Sequence, residues 1–97
     1  MEIDSIYILG HCWKVQTMDD LTDFGECDFN HRTIRLRRNQ SEEQLIETLL
    51  HEINHAIWSM TDLEDKDKEE TTVTRLAMGL ASVFFDERNR GFKELLQ

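Results

Sequence analysis

The chain contains no proline, no internal repeat and no low-complexity segment. Nothing in it therefore marks a linker, and its 97 residues read as a single domain spanning 1–97. Cysteine is scarce. Cys12 and Cys27 are the two present, too far apart for a C-x-x-C metal knuckle, and both read as small buried hydrophobes. No apolar run approaches membrane-spanning length and no signal peptide is recognisable, so a reducing cytoplasmic setting without membrane contact is expected. Positive charge is also short: 11 basic residues against 20 acidic give a net charge of −9. That balance argues against nucleic acid or an anionic membrane as a general partner. A domain of this size buries a modest share of its surface, and a bound metal would add stability.

Four of the scarce basic residues, Arg32, Arg35, Arg37 and Arg38, fall within seven positions. One reading is the solvated face of a strand. The other is an electrostatic rim beside a cleft.

The pattern along the chain runs from strands to helices. Residues 3–9 are rich in β-branched and aromatic side chains, Gly10 interrupts, and an alternating pattern resumes over 12–17. Residues 24–29 and 33–37 read as two more strands around a turn at Asn30-His31. Ser41-Glu42-Glu43-Gln44 has the form of a capping box. An apolar stripe through Leu45, Ile46, Leu49, Leu50, Ile53 and Ile57 then predicts a helix over about 41–60. A charged loop follows over 61–68. A second helix is predicted over about 68–88, with Val73, Leu76, Ala77, Leu80 and Phe84 as its core stripe and Asn89 and Gly91 as its end. The residues after it form a last helical turn or fray. Strands before helices imply an α+β domain: a small N-terminal antiparallel sheet packed on two helices.

The first helix carries His51-Glu52-Ile53-Asn54-His55, an H-E-x-x-H pentad. Residues four apart share one helix face, so the two imidazoles can ligate one Zn²⁺. Glu52 falls beside the metal, where it can take a proton from an activated water. Catalytic zinc usually has three protein ligands and one open position. The extended pattern with a third histidine fails here, since Trp58 and Thr61 stand at its glycine and histidine places. No histidine follows His55. A carboxylate at the start of the second helix is the expected third ligand. Glu69 and Glu70 both qualify on a helical wheel, and geometry alone does not choose between them.

The stretch Thr48-Leu-Leu-His-Glu-Ile-Asn-His-Ala-Ile57 resembles the active-site helix of gluzincin-type metallopeptidases. From Cys27 to about Val83 the chain is similar to the small metallopeptidase-like proteins of phages and prophages and to the ImmA/IrrE group. The resemblance implies a minimal zincin-like domain with Glu70 as third zinc ligand, three positions before Val73, and Glu69 as the fallback. It implies the host cytoplasm as setting if the chain is phage-encoded. The chain departs from the pattern at Thr74, where gluzincins often carry an acidic or amide residue supporting a zinc histidine. It also has no room for a separate substrate domain.

The mechanism this implies uses His51, His55 and Glu70 to hold Zn²⁺, with Glu52 as general base toward an activated water. Tyr7, His11 and His31 are candidates for stabilising an oxyanion. The strand at Thr33–Arg37 corresponds to the edge that pairs with substrate in zincins, and its arginines would favour an acidic partner. The expected activity is hydrolysis of peptide bonds in a narrow protein substrate. The alternative is a catalytically silent, zinc-stabilised binding or regulatory module.

Overall fold

In a computed structural model, which describes residues 3–61 and 66–95, strands Ser5–Ile8 (β1) and His11–Met18 (β2) form the first hairpin. Leu9 and Gly10 connect them, with φ of 50° and 80°. Two successive positive φ values make a tight turn whose twist matches the flanking strands, and glycine adopts its value without steric cost. Gly25–Asp28 (β3) and Thr33–Arg37 (β4) form the second hairpin, closed by a turn in which Arg32 takes a φ of 44°.

The strand order is β1-β2-β4-β3. β4 runs antiparallel to β3 but parallel to β2, so the sheet is mixed where a wholly antiparallel one was expected. Burial accounts for the difference. Ile34 and Leu36 of β4 are both 0% exposed, whereas β3 carries Glu26 and Asp28. The more apolar strand takes the centre, covered on its face and paired on both sides, and the more polar strand takes the edge. This corrects the expected substrate edge. Thr33–Arg37 has no free side for an added strand, and β3 does.

Trp13, Val15, Ile34 and Leu36 point to one side of the sheet, where Leu49 and Ala56 of the first helix complete the core. That helix, α1, spans Glu42–Met60. Ser41 caps it by accepting from the Gln44 N–H at 3.1 Å. The reciprocal half of the capping box is not formed: Gln44 Nε2 donates to Thr48 Oγ1 instead, at 3.3 Å. Thr48 in turn donates to Gln40 Oε1 at 3.1 Å, and Gln40 Nε2 donates to the Phe24 carbonyl at 3.1 Å. The start of α1 is thereby tied to the chain entering β3. Cys12 lies exposed on the open face of the sheet, not buried as expected.

The second helix, α2, spans Lys66–Phe85 and packs on α1. Residues 62–65 of the expected charged loop lie outside the described residues. The buried face of α2 is Val73, Ala77 and Ala81, while Leu76 and Leu80 are 49% and 43% exposed. The broad stripe expected from sequence is therefore a narrow seam of small residues four apart. Small side chains on an i, i+4 ridge let two helices approach closely. α2 ends at Phe85, earlier than expected, because Asp86 turns extended and caps a short 3₁₀ turn, Glu87–Asn89. Gly91 sits within the following short helix, α3 (Arg90–Leu95), and ends nothing. Among the described residues, no helix is long and apolar enough to cross a membrane.

Gly25 is where β3 comes closest to α1. A Cβ there would stand 2.7 Å from Thr48 Cγ2, 3.1 Å from the Arg35 carbonyl oxygen and 3.3 Å from Glu52 Cγ. Backbone cannot retreat cheaply, so Gly25→Ala is expected to cost about 1–3 kcal/mol by overpacking. Urea denaturation would check this, and an unchanged midpoint would mean that β3 and α1 separate without penalty.

Candidate metal centre

The helical period places His51 and His55 one turn apart on α1, with Nε2 atoms 3.2 Å from each other. Glu70 reaches both from α2: Oε1 lies 3.0 Å from His51 Nε2, and Oε2 lies 2.9 Å from His55 Nε2. Thr74, one turn further on, donates its hydroxyl to Glu70 Oε1 at 3.4 Å. Thr74 thus supports the carboxylate and not an imidazole.

Glu69 has a separate place. It stands four residues before Val73, on the same ridge as Ala77 and Ala81, and so points into the seam between the helices. There its Oε2 accepts from His55 Nδ1 at 2.5 Å, with the Glu69 side chain 19% exposed. Glu69 and Glu70 were alternatives for one role, but both reach the site. A carboxylate on the far nitrogen of a ligating imidazole fixes its tautomer and ring orientation. Sequence reasoning singled out Glu69 as the fallback ligand and missed its role as the partner of His55 Nδ1. Its i+4 spacing to Val73, Ala77 and Ala81 was the available signal.

The three groups fit a metal ion. Donation from His55 Nδ1 to Glu69 leaves the Nε2 lone pair turned toward His51 Nε2 and Glu70. A divalent cation could sit among these atoms, taking the place of a proton that His51 Nε2 would otherwise donate to Glu70. Ligands at about 2.0–2.1 Å from a tetrahedral zinc stand about 3.3 Å apart, close to the separations found here. His51, His55 and Glu70 are the described group that converges in this manner, its ligand atoms lying within 4.8 Å of one another.

Glu52 lies on the opposite shoulder of α1, against β3, and is 6% exposed. Its side chain has no hydrogen-bonding partner among the described residues, and it lines the cleft beside the histidines. Burial pushes its carboxyl up to about 7; nearby Glu70, Glu26 and Asp23 add to the rise and His55 opposes it. A carboxylate poised near neutrality is suited to exchanging protons. Cys27 lines the same cleft, its thiol pushed up to about 12 by burial and by the charge of Glu52, which keeps it protonated.

The cleft has a volume of about 810 Å³ and runs between the edge of β3 and α1, with Glu69 and Glu70 at one end. Tyr7, His11 and His31 are not among its lining residues. Tyr7 and His11 belong to the hairpin at the opposite edge of the sheet, and His31 binds Asp28 at 3.0 Å. Of the arginine cluster, Arg37 lines the cleft, and Arg32, Arg35 and Arg38 are not among its lining residues. Arg35 pairs with Asp28 at 3.2 Å and Arg38 with Asp19 at 2.9 Å. Arg37 lies over the Phe24 ring, 4.4 Å from its centroid, and donates to the Thr22 carbonyl at 3.2 Å.

Comparison of the chain with protein-family descriptions, with curated proteins and with solved structures returned no match.

Roles so assigned separate by substitution. Glu70→Ala removes a candidate ligand and, where the cluster holds zinc, should weaken its affinity beyond about a hundredfold, above the range for supporting residues. Glu69→Ala frees the His55 ring and should cost about tenfold. Competition with a chromophoric chelator measures both. The reverse ranking would exchange ligand and support.

Proposed function

We propose that this chain is a small zinc-dependent peptidase that hydrolyses peptide bonds in a narrow range of protein substrates. One observation carries the reading: a buried carboxylate, Glu52, opens into the cleft beside the His51, His55 and Glu70 cluster with no partner of its own. A purely structural metal site has no use for such a group, since burying it unpaired costs stability. The resemblance of the pentad helix to gluzincin-type metallopeptidases supports the same reading.

His51, His55 and Glu70 would hold the zinc, which when bound supplies Lewis-acid chemistry toward a water and a scissile carbonyl. Glu69 holds the His55 imidazole in the orientation that keeps Nε2 available. Glu52 accepts a proton from the attacking water and returns it to the departing amine. β3 aligns the substrate. The Arg37 N–H bonds to the Phe24 carbonyl at 2.7 Å, and Glu26 and Asp28 continue that parity toward β4. The peptide groups of Gly25 and Cys27 consequently face away from β4, free for an added strand. A cytoplasmic setting accords with two free cysteines, Cys12 and Cys27.

Metal removal tests the proposal. Protein purified without added metal should hold about one zinc per chain, as one three-ligand site requires. Chelation should abolish peptide cleavage and lower the melting temperature, and stoichiometric zinc should restore both. Cleavage and melting that ignore the chelator would overturn it.

A further inference from the structure

The charge of the cleft points to a class of substrate; this inference rests on the peptidase reading for the role of the metal end. From Gln44 to His55 the α1 wall of the cleft extends about 16 Å, at about 1.5 Å per residue. An extended peptide of about five residues spans that length, at about 3.3 Å each. β3 offers the facing edge.

The acidic groups along this groove are not all consumed by the metal site. Glu69 and Glu70 offset the charge of a divalent cation. Asp23, Glu26 and Glu47 remain, together with the buried Glu52. Asp23 and Glu47 form no ion pair or side-chain hydrogen bond among the described residues. Glu26 has a distant contact, 3.9 Å, with an Arg35 already bonded to Asp28. Arg37 is the basic lining residue; the Phe24 ring and the Thr22 carbonyl hold it in place, and its charge offsets one of these carboxylates. Glu47 precedes His51 by one helical turn, so it flanks the groove about 6 Å from the ligand. Bare carboxylates along a low-dielectric cleft focus a negative potential into it. Phe29 adds ring surface, 44% exposed, of the kind that receives the stem and head of a long cationic side chain, whereas Arg37 already lies over the Phe24 ring.

We propose that the cleft selects extended peptides that carry lysine or arginine beside the metal centre, with Asp23 and Glu47 receiving the cationic side chain. The acidic partner expected from the arginine cluster is thereby replaced by a basic one, because Arg35 and Arg38 are paired on the sheet, and Arg37, the arginine that lines the groove, faces a larger number of carboxylates.

Binding of short fluorescent peptides to the zinc-loaded Glu52→Gln protein tests this, with lysine-containing, neutral and glutamate-containing versions of one sequence. The lysine version should bind at least about tenfold more tightly than the glutamate version, with the gap shrinking at high salt. The double substitution Asp23→Asn with Glu47→Gln should bring the preference close to unity. Asp4→Asn with Glu94→Gln removes as many charges outside the cleft and should preserve it. Equal affinities, absence of binding, or a preference that survives the cleft substitutions would overturn the inference. Selective binding of basic peptides without cleavage by the wild-type protein would support it and remove the peptidase reading instead. Cleavage indifferent to charge would do the reverse.

Discussion

Glu52→Gln is expected to leave about one zinc per chain in place and to lower peptide cleavage by at least about a hundredfold, the lower range for loss of a general base. The metal should stay because His51, His55 and Glu70 converge without Glu52, which faces β3. Cleavage should fall because the amide keeps the shape of the side chain and cannot accept a proton. The acidic limb of the pH profile should vanish with it. Assays of cleavage and of zinc content on the same preparation separate these effects. Should wild type and variant behave alike in the assay that reports function, the zinc-stabilised binding module becomes the better account.

The same substitution should have the opposite effect on stability once the metal is removed. Folding raises the Glu52 carboxyl from 4.5 to about 7, chiefly through burial. The folded state therefore holds this proton more tightly than the unfolded chain. Its contribution is fully present below pH 4.5 and is lost as pH rises through about 7. Above that pH the metal-free protein buries an unpaired carboxylate at a cost of about 3 kcal/mol, since each pH step by which burial raises the carboxyl is worth about 1.4 kcal/mol. Glu52→Gln should raise the melting temperature of the metal-free protein at about pH 8 by about 10 °C or more. At pH 4.5 the two proteins should melt together. With zinc bound the gain should shrink, because a nearby cation favours the charged form. Equal melting at about pH 8 would mean that Glu52 is solvated in the metal-free protein.

Were both outcomes found, Glu52 would be a residue whose charge costs the fold stability. Stability conceded at a functional group is common where chemistry needs a poised charge.

How much of this was legible in the sequence varied with how locally each feature is determined. The pentad was readable because its chemistry fixes residue types at one helical turn, and the helix announces itself through Ser41 and its apolar stripe. The α+β class followed from the order of periodicities. The order of strands did not. Alternation tells which side chains share a face, and it placed Ile34 and Leu36 together, but it does not name a strand's neighbours. The contrast between the apolar Ile34 and Leu36 and the polar Glu26 and Asp28 was a clue to centre and edge that needed the sheet to be interpreted. Glu70 required the family resemblance, since a helical wheel admits Glu69 equally. The place of Glu69 was hidden because Leu76 and Leu80 make the buried stripe of α2 look wide. Tyr7, His11 and His31 were chosen by residue type, and type says nothing about which end of a sheet a side chain occupies.

The seam of α2 has a consequence for tracing the ancestry of such chains. Glu69, Val73, Ala77 and Ala81 lie on one ridge, so the carboxylate that steadies His55 and the contacts that dock the helix share a single register. An insertion of one residue between Glu70 and Val73 would turn both glutamates by about 100° relative to that ridge and dismantle the centre. A change in the number of residues between the end of α1 at Met60 and Lys66 carries no such rotation. Distant kin should accordingly be sought by the phase of E-E-x-x-V-x-x-x-A, with the gap from the histidines left free to drift.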